Sequence, residues 1–239
     1  MRELYNAASM PPDQPPFEAM IDRLRVVYGR PKPLPSRDPL HLVLWDNAAY
    51  LLSDERRQRV FELLRDRVGL EPRQILAAQH STLLEIAKLG GMRPEVRVER
   101  WLAIARIALT EFDGDLHKAA KLPLRAAKKA FQRFPAIGEP GAEKILLFSQ
   151  AHAVLGLESN GLRVLVRLGY GRQQRNYSST YRSVQEAIAN QIGKRCAPLI
   201  QAHQLLLQHG MERCKSSRPI CRGCALNEVC RYFRTHSPV

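Results

Sequence analysis

No stretch of this chain alternates apolar and polar residues over a useful length. That excludes half-buried sheet as the organising element and leaves an all-α fold class. No apolar run approaches the roughly 20 residues that a membrane span needs. The opening segment, MRELYNAASMPPDQPPF, has no apolar h-region and does not read as a signal peptide. A cytoplasmic protein is therefore expected, nucleoid-associated if the source is bacterial, with no membrane partner. Acids are in deficit: 23 Asp and Glu face 37 Lys and Arg, a formal net charge of +14 with a pI near 10.0. Such a balance points to a polyanionic partner, with nucleic acid ahead of membrane. The cations are spread along the chain rather than gathered in a tail.

The 239 residues are enough for one large domain or two small ones. Residues 1–39 are rich in proline around one helical segment, FEAMIDRLRVVY, with Phe17, Met20, Ile21, Leu24 and Val27 at helical spacing. From Asp38 the pattern is helical almost to the end. DPLHLVLWDNAAYLL predicts a core helix, with polar Asp46 and Asn47 inside an apolar run. Ser53 is placed to cap SDERRQRVFELLRDRVG, whose stripe is Val60, Phe61, Leu63 and Leu64 and whose stop is Gly69. STLLEIAKLGG reads as a helix with a Ser/Thr cap that stops at Gly90 and Gly91. EVRVERWLAIARIALTEF carries Val98, Trp101, Leu102, Ala105 and Leu109 on one face, and GDLHKAAKLP is short.

Cysteine is scarce, and four of the five stand together: Cys214, Cys221, Cys224 and Cys230, spaced C-x6-C-x2-C-x5-C. Four thiolates this close suit one tetrahedral metal ion or one cubane cluster. A reducing compartment disfavours disulfides. Ligand identity alone does not separate zinc from iron–sulfur. Cys196 stands outside the motif and reads as a buried small apolar residue.

Residues 122–154 have the layout helix, tight turn, helix. Leu124, Ala127, Phe131 and Phe134 form the first stripe, and Pro135 stops it. Gly138 and Gly141 read as positions that allow positive φ and close approach of a ligand, and Pro140 suits the turn. A glycine turn opening a helix offers free N–H groups and the positive end of a dipole, a phosphate site. About twenty residues on, GLESNGLRVLVRLGYG sets Glu158 just before a helix predicted to start near Ser159 and Asn160.

These stretches together resemble one family. The cysteine spacing is similar to the C-terminal cluster loop of the endonuclease III family of DNA glycosylases. FPAIGEPGA resembles that family's helix-hairpin-helix, roughly L-P-G-hydrophobic-G-x-x-x-A. Phe134, Pro135, Ile137, Gly138 and Ala142 match, and Ala136 replaces the first glycine. GLESNGLRVLVRLGYG resembles the stretch that carries the family's catalytic Asp; Arg163, Val164, Arg167 and Gly169 match, and Glu158 falls on the Asp position. AHQLLLQHGMERC resembles the run into the first cluster cysteine. The resemblance covers roughly residues 38 to 232.

The resemblance implies two helical lobes: residues 40–152, barrel-like and ending in the hairpin at about 124–148, and residues 1–39 plus 153–239, with the cluster loop at 214–230. It implies a [4Fe–4S] cluster on the four cysteines. It implies a DNA glycosylase of base excision repair, acting as a monomer on double-stranded DNA with a damaged or mismatched base flipped into the cleft between lobes. Glu158 would be the catalytic carboxylate. Trp45, Asp46, Asn47, Tyr50 and Leu51 are candidates for the base pocket or wedge. Gly138, Gly141, Arg172, Arg175, Lys215, Arg218 and Arg222 are candidates to hold DNA. Bifunctional members carry a nucleophilic lysine two residues after the hairpin's last glycine; here Pro140 stands there, and Lys144, four residues on, is expected to face elsewhere. The expected activity is therefore monofunctional, without lyase chemistry and with an alkylated purine as a candidate substrate. The alternatives are a catalytically inactive protein that binds damaged DNA and a zinc-containing DNA-binding module.

Overall fold

The computed structural model describes residues 14–50 and 52–236, and among them there are helices and no strand. None of those helices is long and apolar enough to cross a membrane. The chain forms two compact units: Pro33–Gly156, and the segment through Lys32 together with the chain from Leu157 onward.

The first unit holds α2 (Pro39–Asp46), α3 (Asp54–Arg67), α4 (Pro72–Ala77), α5 (His80–Lys88), α6 (Pro94–Phe112), α7 (His117–Ala120), α8 (Leu124–Phe131) and α9 (Glu139–Phe148). Its core is built on α6, which packs against α4 and α5 and buries Trp101 completely. A Trp buries on the order of 200 Å², worth about 5 kcal/mol at roughly 25 cal/mol per Å². The Ser53 cap forms as the sequence implies, its side chain accepting from Arg56 N–H.

Four local expectations are corrected. The core helix α2 ends at Asp46, and Asn47 and Ala48 turn on Val43, Leu44 and Trp45 carbonyls. α5 begins at His80 with Gln79 before it and no side-chain cap. α8 ends at Phe131, so Phe134 is buried from the turn rather than from the helix. Positive φ falls on Ala136, at 61°, and not on Gly138 or Gly141. Gly138 is extended before the first turn of α9, and Pro140 sits inside that turn, where its missing N–H costs nothing.

Arg97 is buried to 5 % exposure. Its guanidinium closes the end of α5, donating to the carbonyls of Ala87 at 2.8 Å and Gly90 at 2.5 Å. Gly90 is required there, because a Cβ would meet Ala48 O at 2.4 Å. Gly90 O in turn accepts from Tyr50 N–H, so this helix end holds the chain just after α2.

The second unit holds α1 (Phe17–Tyr28), α10 (Ser159–Leu168), α11 (Tyr177–Ile188), α12 (Cys196–Glu212) and α13 (Arg231–His236). α12 packs against α10 and α1. Leu24, Leu165, Leu205 and Leu206 are fully buried. Cys196 opens α12 only half-buried, contrary to expectation, because the first turn of the helix lies at the surface.

Candidate functional site

Glu158 is the N-cap of α10. Its Oε1 accepts from Gly161 N–H at 2.5 Å, and its Oε2 accepts from Asn160 N–H at 2.7 Å and Asn160 Nδ2 at 2.8 Å. Gly161 keeps the room, since a Cβ there would stand 3.3 Å from Glu158 Oε1.

Asn160 extends the network. Its Oδ1 accepts from Arg163 at 2.8 Å, and Arg163 also donates to the carbonyls of Cys214 and Gly210, both at 2.8 Å. Burial holds the Arg163 guanidinium below its usual pKa. One turn later Arg167 donates to Lys215 O at 2.7 Å, Ser216 O at 2.8 Å and Cys214 Sγ at 3.2 Å. Arg163 and Arg167 are four residues apart and share a helix face, so α10 carries the carboxylate at its start and grips the cysteine loop along its side.

All four cysteines line one cavity, with Val164, Leu168, Ile220, Leu226 and Phe233 among its walls. Donors point at sulfur: Arg167 at Cys214, and Leu226 N–H at Cys224 Sγ at 3.4 Å. Burial pushes the free thiols of Cys221, Cys224 and Cys230 up. A bound cation reverses that, since thiolates are the ligands. As placed, no three of these side chains among the described residues are gathered tightly enough to hold an ion, but four thiols around one apolar cavity, two of them with N–H donors at sulfur, are the donor set a metal–sulfur group takes.

In the first unit, Trp45 and Asp46 line a small pocket with Leu34, Leu42, Lys144, Ile145 and Phe148. Asp46 and Lys144 form an ion pair, with side chains 12 % and 21 % exposed. Lys144 is thus directed to the end of α2. Four residues is one helical turn, and a lysine there leans back toward the start of α9. Asn47 donates from Nδ2 to Val43 O and to Pro135 O in the hairpin turn, while its buried Oδ1 has no partner among the described residues. Tyr50 is 58 % exposed. Leu51 lies outside the described residues.

The start of α9 has no side-chain cap, and among the described residues the N–H groups of Glu139 and Gly141 have no hydrogen-bond partner. Lys128 bridges Glu139 at 2.7 Å and Glu143 at 2.8 Å, tying the two hairpin helices. Arg172, Arg175, Lys215, Arg218 and Arg222 are all exposed. Asn160 and the pairing of Lys144 with Asp46 were missed from the sequence. Asn160 had a local signal, an amide two residues after the acid and three before an arginine.

No family model matches the chain. Among curated relatives, the endonuclease III of Sulfolobus acidocaldarius is 24% identical over 183 residues, 76% of each chain. The endonuclease III of Thermotoga maritima is 21% identical over 217 residues, 90% of this chain and 94% of its own. Among solved structures, a trapped endonuclease III–DNA covalent intermediate superposes with a TM-score of 0.72 at 16% identity, covering 92% of this chain and 97% of its own. A thermostable thymine-DNA glycosylase gives 0.71 at 14%, with the same coverage. The H. pylori 3-methyladenine DNA glycosylase bound to 1,N6-ethenoadenine gives 0.64 at 14%, covering 82% and 97%.

Proposed function

For a chain that belongs to the endonuclease III-like superfamily of helix-hairpin-helix DNA glycosylases, we propose monofunctional removal of a damaged base from duplex DNA. The observation that carries this reading is Glu158, a carboxylate set at the start of α10 by three N–H donors. A carboxylate has about four lone-pair sites, so one remains for a water. Breaking an N-glycosidic bond builds positive charge on the sugar, which the carboxylate stabilises while it orients that water. Pro140 offers no amine, and the Lys144 amine is held by Asp46, which supports hydrolysis without a Schiff base.

Cys214, Cys221, Cys224 and Cys230 would hold a [4Fe–4S] cluster. Bound there, it supplies a fixed, covalently crosslinked loop. Arg163 and Arg167 join that loop to α10, and Lys215, Arg218 and Arg222 face phosphates from it. The free N–H groups at the start of α9 take another phosphate. Trp45, Asp46, Asn47, Tyr50 and Leu51 are the proposed pocket and wedge. The protein acts as a cytoplasmic monomer. Alkylated purines are the proposed substrates, because a cationic base leaves readily; the fold shared with the 3-methyladenine DNA glycosylase supports including them.

The test is a panel of single-lesion duplexes, each reaction divided between hot alkali and no alkali. Strand scission only after alkali is expected, on an alkylated-purine duplex. Scission without alkali, trapped by borohydride, overturns the monofunctional reading. Lesion binding without base release from iron-loaded protein makes the chain a damage-binding protein instead.

A further inference from the structure

A second cavity lies in the same unit as α10, bounded by the end of that helix, the turn after it and α13. Its volume is about 270 Å³, near the lower limit of roughly 300 Å³ for small-molecule sites. Arg167 borders both this cavity and the cysteine cavity; the cysteines and Glu158 do not line it. Three arginines line it, Arg167, Arg172 and Arg231, and no Asp or Glu does. Arg172 and Arg231 are exposed and make no ion pair among the described residues.

Beside these cations stands an aromatic stack. The Arg167 guanidinium lies 4.6 Å over the Tyr232 ring. His236 stacks on Tyr232 at 4.2 Å with 10° between planes. Arg167 and His236 thus both pack on the Tyr232 ring, a cation and a second aromatic ring on one platform. His236 is exposed, at the solvent side of the cavity.

The geometry points to a subsite for one unpaired nucleotide of a DNA strand, its phosphate between Arg172 and Arg231 and its base stacked on His236. Guanidiniums bind phosphate oxygens through paired N–H donors. A ring platform accepts any base, because every base has a π-face. Bases within a duplex are already stacked, so the platform selects an unpaired one. A bare anion explains the arginines but not the ladder beside them. The subsite goes beyond the proposed base removal and stands without it, since it reads undamaged single strands.

Fluorescence anisotropy with the full chain tests this. The probes are a labelled undamaged oligothymidylate and an abasic phosphodiester strand of equal length. The thymidylate strand is expected to bind at least fivefold more tightly. His236→Ala is expected to erase that preference. Arg231→Ala is expected to weaken both strands and flatten the log K against log salt slope by about 0.7. Equal affinity for the two strands, or an unchanged preference in His236→Ala, overturns the subsite. An oligouridylate bound tenfold more tightly overturns its assignment to DNA. Photocrosslinking of wild-type protein to a 5-iodouracil strand is independent of any variant: crosslinks within residues 231–236 support the subsite, and crosslinks only elsewhere overturn it. Base release from a lesion duplex by His236→Ala is expected at the wild-type rate, so failure of base removal and failure of this subsite are separately visible.

Discussion

Asn160 donates to Glu158 Oε2 from both its backbone N–H, at 2.7 Å, and its side-chain Nδ2, at 2.8 Å. One residue thus supplies two of the three donors on the candidate catalytic carboxylate. Because its Oδ1 is held by Arg163, the amide is fixed in orientation rather than free to flip.

Glu158→Gln is therefore expected to act on chemistry more than on folding. The amide loses the charge and turns one acceptor into a donor facing N–H groups. Base release should fall by about 10²–10³-fold, the range for removal of one preorganised electrostatic group. The weakened cap costs about 1 kcal/mol, or a fall of about 2–4 °C in melting temperature for a chain this size. Single-turnover rates and thermal denaturation on one preparation check both. Unchanged turnover removes Glu158 from the reaction.

Asn160→Ala keeps the Glu158 carboxylate and its backbone bonds but cuts the link to Arg163. Base release is expected to fall by about tenfold, with DNA affinity held within twofold. A drop in affinity alone would show that Asn160 acts on the cysteine loop rather than on the acid.

Much of this architecture was legible. In α1 the apolar spacing places Phe17, Met20, Ile21 and Leu24 in the core, although Val27, on the same stripe, is 55 % exposed. The Ser53 cap and the position of Glu158 before α10 follow from residue type and period. Long-range pairings of charge were not legible. No local pattern marks Arg97 on α6 as buried, yet four carbonyls around the end of α5 satisfy it inside the core. Lys144 and Asp46 are 98 residues apart, so no local pattern joins them. Ala136 was legible as a departure from glycine, but its left-handed backbone was not, because propensity argues against it.

The Asp46–Lys144 pair makes a second kind of prediction, about stability. Removing one partner of a fully buried pair costs about 3–5 kcal/mol. With Lys144 21 % exposed, Asp46→Ala is expected to cost less, about 2 kcal/mol. That corresponds to about 4–8 °C in melting temperature. The double variant Asp46→Leu/Lys144→Met should recover most of the stability. A melting temperature unchanged in Asp46→Ala would make the pair a solvated one.

Ala136, at φ 61°, strains the hairpin turn. The left-handed region costs an L-residue about 1–2 kcal/mol, whereas glycine adds about 0.5–1 kcal/mol of unfolded-state freedom. Ala136→Gly should then stabilise by about 0.5 kcal/mol, read as a higher denaturant midpoint at constant slope. Ala136→Val should lower it, because a β-branched side chain tolerates this backbone least.

The cysteine loop carries the last prediction. Purified protein should hold iron and sulfide in equal amounts, about four of each per chain; zinc alone would overturn the cluster. Cys221→Ser should lose the metal without unfolding α10 or α12, because Arg163 and Arg167 bind the carbonyls of Cys214, Lys215 and Ser216 directly. Circular dichroism should stay helical while limited proteolysis opens the chain between Ser216 and Cys230. Arg218 and Arg222 then leave their places, and Lys215 is held only by backbone. The slope of log K against log salt for duplex DNA should flatten by about 2, at about 0.9 for each phosphate no longer neutralised. If the slope holds while the metal is gone, the phosphates are bound by the hairpin and not by the loop.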